Sequence, residues 1–371
     1  MITMIDQPNC QENQQNLRSL QNLFATHRVP ASGSINLTHR CNLNCVHCYL
    51  GGRNSILRAS EAELDTQKWT SIIDQITQAG CLHLLLSGGE VLLRPDFDII
   101  YQKAVTNGLL VTVFTNGTLL NDTILALFSD LPPQSVEISL YGASRQTYES
   151  ITGVKGSFKN CVNGIQQLHE RKIRFKLKTM ILTLNYSELE KIEKFAKEYG
   201  VDFRMDPAVS PCLDSDKSPL NYRVNPDKAV KADFANTDRA KRWTAYYNDR
   251  SSSPITPERL YNCGAGFINF HIDPKGILVP CLMLKKPAYN LTSGCFSDGW
   301  QNEIAKLQTI KASDNFKCNQ CDKKILCSCC PALSALENNS PEIHSQYLCE
   351  LTEFRQKAIS ENLAVEGSVH T

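Results

Sequence analysis

Residues 35–50 read INLTHRCNLNCVHCYL and place Cys41, Cys45 and Cys48 in a C-x3-C-x2-C array directly after a short apolar run. Three thiolates on one loop can hold three irons of a cube-shaped iron–sulfur cluster, which leaves the fourth iron without a protein ligand. Such an iron can bind a substrate or a second cofactor. A structural zinc site is the competing reading; it needs a fourth ligand, which His39 or His47 can supply.

Outward from this loop, short apolar runs alternate with stretches of helical period. Strands are expected at Ser34–Leu37, His83–Leu86, Leu109–Phe114, Ser135–Leu140, Arg174–Leu182 and Val201–Met205, and helices at Thr66–Ala79, Asp96–Thr106, Asn121–Phe128, Phe158–Glu170 and Tyr186–Tyr199. Units of this kind in succession imply a parallel sheet wrapped by helices and curved as a partial barrel. In such folds the loops after the strands carry the chemistry. Two of these strand ends echo the thiol loop. Ser87-Gly88-Gly89-Glu90 closes the second strand, where a glycine pair lets backbone approach a ligand and a carboxylate can accept from an ammonium group. Ser139-Leu140-Tyr141-Gly142 closes the fourth, and Ser139 can bond a carboxylate or a ribose. Taken singly, each is an ordinary turn.

Jointly these residues resemble the radical S-adenosylmethionine (SAM) superfamily, over about residues 33–206. The resemblance implies that Cys41, Cys45 and Cys48 bind a [4Fe-4S] cluster whose open iron chelates the amino and carboxylate groups of SAM. Ser87, Gly88, Gly89 and Glu90 would line the methionine amine, and Ser139 the polar end of SAM. His47 holds the position where the family often has an aromatic ring near adenine, and Thr115-Asn116-Gly117, with Asn116 as a cofactor contact, matches a recurrent family turn. Many relatives carry an arginine where this chain has Thr152.

The tail reads Cys263-x12-Gly276-x4-Cys281, then Cys318-x2-Cys321-x5-Cys327, Cys329-Cys330 and Cys349. It resembles the SPASM extension, which holds one or two auxiliary iron–sulfur clusters; a zinc ribbon is the alternative. By that resemblance Cys318, Cys321, Cys327 and Cys349 would ligate the second auxiliary cluster, and Cys263, Cys281 and Cys330 the first. Relatives have three residues after the position of Cys327, which here falls on Pro331, so Cys329 competes with Cys330. Cys295 is the further candidate for the first cluster. The expected fold is therefore α/β, a partial (β/α)6 TIM-like barrel followed by a small cysteine-rich α+β domain. Residues 267–280 form its β-hairpin around Asp273-Pro274-Lys275-Gly276. The expected divisions are a polar leader at 1–32, the barrel at 33–206, a bridge at 207–258 with one helix near Asp227–Tyr247, the SPASM region at 259–355 and a tail at 356–371.

Composition bounds the function. In 371 residues, 39 Lys and Arg face 38 Asp and Glu, so no overall field draws the chain onto nucleic acid or acidic lipid. No signal peptide or apolar span stands out, and a cytoplasmic location is expected. Sixteen cysteines in a reducing compartment indicate metal rather than disulfides. Cys10, Cys81, Cys161 and Cys212 fit no ligand spacing. Arg174, Lys176 and Lys178 form either a solvent face or a contact for an acidic leader peptide.

The resemblance implies an enzyme that cleaves SAM reductively to a 5'-deoxyadenosyl radical and abstracts hydrogen from a peptide or protein, with a flavodoxin- or ferredoxin-type reductant. A separate leader-binding protein is a further expected partner. Sulfatase maturases place an Asp after the position of Cys281, where this chain has Leu282, which weighs against that activity. A small-molecule (tetrapyrrole) radical enzyme and a plain electron carrier remain as alternatives. No catalytic acid or base is legible.

Overall fold

The computed structural model describes residues 23–24, 26–52, 63–250, 258–327 and 329–368. The leader residues 1–22, with Cys10, lie outside the described residues.

Six parallel strands carry the frame: β1 (Ser32–Asn36), β2 (His83–Ser87), β3 (Leu110–Thr115), β4 (Ser135–Ser139), β5 (Phe175–Met180) and β6 (Phe203–Asp206). They lie in chain order across the sheet, each crossover carrying helix: α1 (Thr66–Gln78), α2 (Phe97–Thr106), α3 (Asp122–Asp130), α4 (Arg145–Thr152), α5 (Ser157–Glu170) and α6 (Leu189–Glu198). Strand residues alternate. Ile35, Leu84, Leu86, Val111, Val113, Val136, Ile138, Phe175 and Leu177 are buried in one cluster with helix residues. Helix α1 gives that cluster Trp69, Ile72, Ile73 and Ile76, the spacing of one helical face. On the opposite face stand Ser34, Ser87, Thr112, Phe114, Glu137, Ser139, Lys176 and Lys178, all half-buried. A sheet covered by helices on both faces has near-continuous apolar strands. The alternation here leaves one face polar.

The hairpin expected at 267–280 forms, as β7 (Asn269–Ile272) and β8 (Ile277–Val279), with β9 (Tyr289–Asn290) following. The structure adds a placement that periodicity could not supply. Strand β7 pairs parallel to β1, Ser34 opposite His271, so the hairpin extends the same sheet to nine strands. At Gly33 the approach is close enough that a Cβ would meet the Phe270 ring at 2.2 Å.

Three expectations are corrected. The single helix near Asp227–Tyr247 is two, α7 (Pro226–Phe234) and α8 (Thr237–Arg250). The break falls at Asn236, whose Oδ1 accepts from the amides of Asp238 and Arg239 at 3.0 and 3.1 Å, a helix cap that starts a new axis. Helix α4 was not expected; Ser144 caps it through Thr147 N, and left-handed Gly153 (φ 66°) ends it, both legible as stop and start signals. Only the hairpin was placed within the tail, yet it also holds α9 (Pro331–Asn338) and the long α10 (Gln346–Ser368), the latter running through residue 355. Leu348, Leu351, Thr352, Arg355 and Ile359 of α10 are buried, at helical spacing.

Candidate active site at the strand ends

The thiol loop leaves β1 and is fastened on both sides by backbone. Leu37 N donates to Ser87 O at 2.9 Å, Gly89 N to Thr38 O at 2.8 Å and Glu90 N to Arg40 O at 2.8 Å. The glycine-rich turn of β2 is thus zipped to the loop. Its closeness explains the glycines: a Cβ on Gly89 would lie 2.3 Å from Arg40 O and 2.6 Å from His39 O, and one on Gly88 2.3 Å from Thr38 O. On the other flank, Asn44 N donates to Thr152 O at 2.8 Å and Val46 N to Ile151 O at 3.0 Å. Thr152 is fully buried, its hydroxyl 2.9 Å from that of Ser157. Position 152 therefore supports the loop through its carbonyl.

Glu90 is 1% exposed. Its Oε1 accepts from Thr115 Oγ1 at 2.7 Å and Leu92 N at 3.2 Å, its Oε2 from Asn116 N at 2.7 Å. Burial pushes this carboxyl up, and those donors oppose the shift. The carboxylate ties the β2 turn to the β3 turn; Oε2 keeps one acceptor position. Asn116 turns its amide to the loop, donating to Asn42 Oδ1 at 2.8 Å, while Asn42 donates to Thr118 Oγ1 at 2.8 Å.

Arg94 was not singled out in the sequence. It is 8% exposed and donates to Leu37 O at 3.1 Å, Leu64 O at 3.1 Å and the Asp96 carboxylate at 2.7 and 2.8 Å. Breaking a buried ion pair from one side costs about 3–5 kcal/mol. Arg94→Ala should therefore lower unfolding stability by about 3 kcal/mol, measured by urea denaturation; a change under about 1 kcal/mol would deny Arg94 this structural role.

Above the thiols sit rings. His47 and Tyr141 meet edge-on with centroids 4.6 Å apart. Tyr141 is pushed up by burial and then by the nearby Cys45, with Cys48 and Cys41 also beside it, while the Ser139 hydroxyl bonds its phenol. Ser139, Tyr141, His47 and all three thiols are thus brought together. His47 is pushed down to about 4 by burial, and its Nδ1 is buried with no hydrogen-bond partner. Cys212, a bystander by spacing, donates to Cys48 O at 3.4 Å and braces the loop from below.

The tail's thiols form two groups. Burial, with Cys327, Cys318 and Cys321 adjacent, pushes Cys349 up to about 11. Burial, with Cys330 and Cys263 adjacent, does the same to Cys281. Cys330 belongs to the second of these groups; Cys329 stands beside Cys318 and Cys327 of the first. Cys295 stands beside Tyr289 at the start of a turn whose Phe296 N donates to Gln75 Oε1 at 2.7 Å. Among the described residues no three Cys, His, Asp or Glu groups close on one ion.

The donor chemistry fits iron–sulfur clusters. Cys41 Sγ accepts from Leu43 N, Cys281 Sγ from Met283 N and Cys330 Sγ from Leu333 N, each at 3.4 Å. Backbone bonds of this kind stabilise thiolate and tune cluster potential. Nδ1 of His47 and the spare position on Glu90 offer polar contacts to an adjoining ligand.

The sequence profile of the Radical SAM superfamily matches residues 35–197. These residues are a radical SAM domain. Along most of its length the chain is similar to the AdoMet-dependent heme synthase of Methanosarcina barkeri, 27% identical and covering 84% of this chain and 93% of that protein. It is also similar to the subtilosin biosynthesis protein AlbA of Bacillus subtilis, 25% identical over 93% of this chain and 78% of AlbA. The fold matches that of Streptococcus suis SuiB bound to its precursor peptide SuiA, with TM-score 0.69, 18% identity, and 94% and 83% of the two chains covered. The sheet is accordingly a partial barrel, its polar face the inner one. No helix among the described residues is long and apolar enough to cross a membrane.

Proposed function

We propose that this protein is a radical SAM peptide maturase of the SPASM type. The observation that carries the reading is the backbone zip between the thiol loop and the Gly88–Glu90 turn, which joins a three-thiolate donor set to a ligand-approach surface at one strand end. Cys41, Cys45 and Cys48 would hold a [4Fe-4S] cluster, which would supply the electron for reductive cleavage of SAM and so the means of abstracting hydrogen from the substrate. The chain's own residues position and shield. Gly88, Gly89 and Glu90 would line the methionine amine of SAM, Ser139 would bond its polar end, and the rings of His47 and Tyr141 would face adenine. Excluding water and fixing the target C–H is the protein's share of the rate.

Cys318, Cys321, Cys327 and Cys349 hold one auxiliary cluster in this reading, and Cys263, Cys281 and Cys330 the other. A peptide substrate fits the similarity to AlbA and the fold shared with SuiB. A flavodoxin- or ferredoxin-type reductant, a separate leader-binding protein and a cytoplasmic location complete the proposal. A tetrapyrrole substrate is the second reading, favoured by the similarity to the heme synthase over 93% of that protein's length.

The test is release of 5'-deoxyadenosine from SAM by anaerobically reconstituted, reduced protein, with a precursor peptide encoded beside its gene and an iron coproporphyrin as rival substrates. A protein that releases none is an electron carrier. In Cys318→Ala, SAM cleavage should persist while modified peptide disappears, read by mass spectrometry. Undiminished product would remove the tail thiols from the mechanism.

A further inference from the structure

The buried guanidinium groups of Arg94 and Arg239 each reach a carboxylate, Asp96 and Glu193, both at 2.7 Å, together with backbone carbonyls. Arg355 of α10 does not. It is 8% exposed, yet among the described residues it makes no hydrogen bond and no ion pair, and its Nε is buried without a partner. Its guanidinium lies over the Trp243 ring, 4.4 Å from the centroid.

The carboxylates around Arg355 are engaged elsewhere. Asp233 accepts from Trp243 Nε1 at 2.6 Å and lies 3.4 Å from Arg239 Nε, while Asp206 accepts from Ala208 N at 2.8 Å and pairs with Arg204 at 3.5 Å. Burial pushes Arg355 down, with Asp233, Asp206 and Cys327 opposing the shift. A buried cation with no close anion is costly, so this position calls for negative charge that the neighbouring side chains do not supply.

Helix α10 carries the cation to the tail's thiols. Cys349, Thr352 and Arg355 follow one another at three-residue steps, each about one turn beyond the last. Cys349 lies among Cys327, Cys318 and Cys321, and Thr352 lies beside the Cys327 thiol. Glu353 pairs with Lys323 at 2.8 Å, which ties this stretch of helix to the turn between Cys321 and Cys327. Arg355 comes next, near Cys327. Lys323 and Lys324, also beside these cysteines, are bonded to Glu353 and Asn319. Four thiolates around an iron–sulfur core carry a net negative charge that grows by one on reduction, and net charge is one of the terms that set the potential.

We propose that Arg355 is the counter-cation of the auxiliary cluster on Cys318, Cys321, Cys327 and Cys349, and that it raises the reduction potential of that cluster. The inference rests on the SPASM reading above, and its test separates the two. Potentiometric titration followed by electron paramagnetic resonance is run on cluster-loaded wild type, Arg355→Met and Arg355→Lys; the signal lost in Cys318→Ala marks the cluster. At an effective dielectric constant of about 20, a unit charge roughly 10 Å away changes a one-electron equilibrium by about tenfold. At a fixed potential the ratio of reduced to oxidised cluster should therefore fall about tenfold in Arg355→Met, a shift of about 59 mV. Arg355→Lys should stay near wild type, and the signals of the other clusters should not move.

The methionine variant gives up no ion pair and should fold. Should it lose the cluster all the same, a second measurement on the wild-type sequence decides. In protein carrying isotope-labelled arginine, the Nε–H resonance of Arg355, identified by its loss in Arg355→Lys, should broaden when the auxiliary cluster is reduced and stay sharp in Cys318→Ala treated alike. An unchanged potential in Arg355→Met, an equal fall in Arg355→Lys, an equal shift in every cluster, or an Nε–H indifferent to reduction would each overturn the assignment. Wild-type protein with zinc, or with no metal, at these four cysteines would instead refute the SPASM reading.

Discussion

Cys41→Ala protein, reconstituted anaerobically and reduced, is expected to release no 5'-deoxyadenosine from SAM. The loop offers three thiols, all close to Tyr141, and removing one leaves two ligands for a cube that needs one thiolate at each of three irons. Cys41 also accepts the Leu43 amide at 3.4 Å, so the variant leaves that donor without its sulfur. Iron should fall by about four per chain while the tail's thiols keep theirs, so visible absorption should drop without vanishing. Cleavage at the wild-type rate would show that these thiols do not hold the reactive cluster.

Gly89→Ala should do nearly as much damage from a residue with no side chain. Its new methyl would lie 2.3 and 2.6 Å from two carbonyl oxygens of the thiol loop, and neither is the end of a flexible group. The loop must move or the turn must open, at a cost of about 3 kcal/mol. Either movement breaks the bonds from Gly89 N to Thr38 O and from Glu90 N to Arg40 O. The expected outcome is a lower melting temperature and a front cluster that forms poorly, seen as reduced iron content at the same protein concentration. A variant as stable and as iron-rich as wild type would mean that the zip is incidental.

Much of this was readable beforehand because it is local. The order of strands and helices follows from apolar period, and Gly88-Gly89 announces a close approach even without its partner. Misreadings came where a local signal was ambiguous. Asn236 resembles any helix residue of modest propensity until its side chain is seen capping Asp238 and Arg239. Glu90 reads as a ligand contact, and what the sequence could not show is that it also accepts from Thr115, Leu92 and Asn116. Arg94 carries no motif at all; its importance lies in the carbonyls of Leu37 and Leu64 that it reaches.

The amino-acid order alone determined the parallel strand–helix frame, the three-thiol loop at its first strand end and a tail built around cysteine, since periodicity and ligand spacing are properties of neighbouring residues. Only the tertiary structure decided that Cys330 stands near Cys263 and Cys281, that the tail's hairpin extends the barrel sheet beside β1, and that Lys176 and Lys178 share the half-buried face of β5 opposite its helix-packed one. The physical reason is common to all three. A strand's two faces, and the partners of a thiol far away in the chain, are set by which surfaces bury apolar area together, and no short stretch of sequence contains both surfaces.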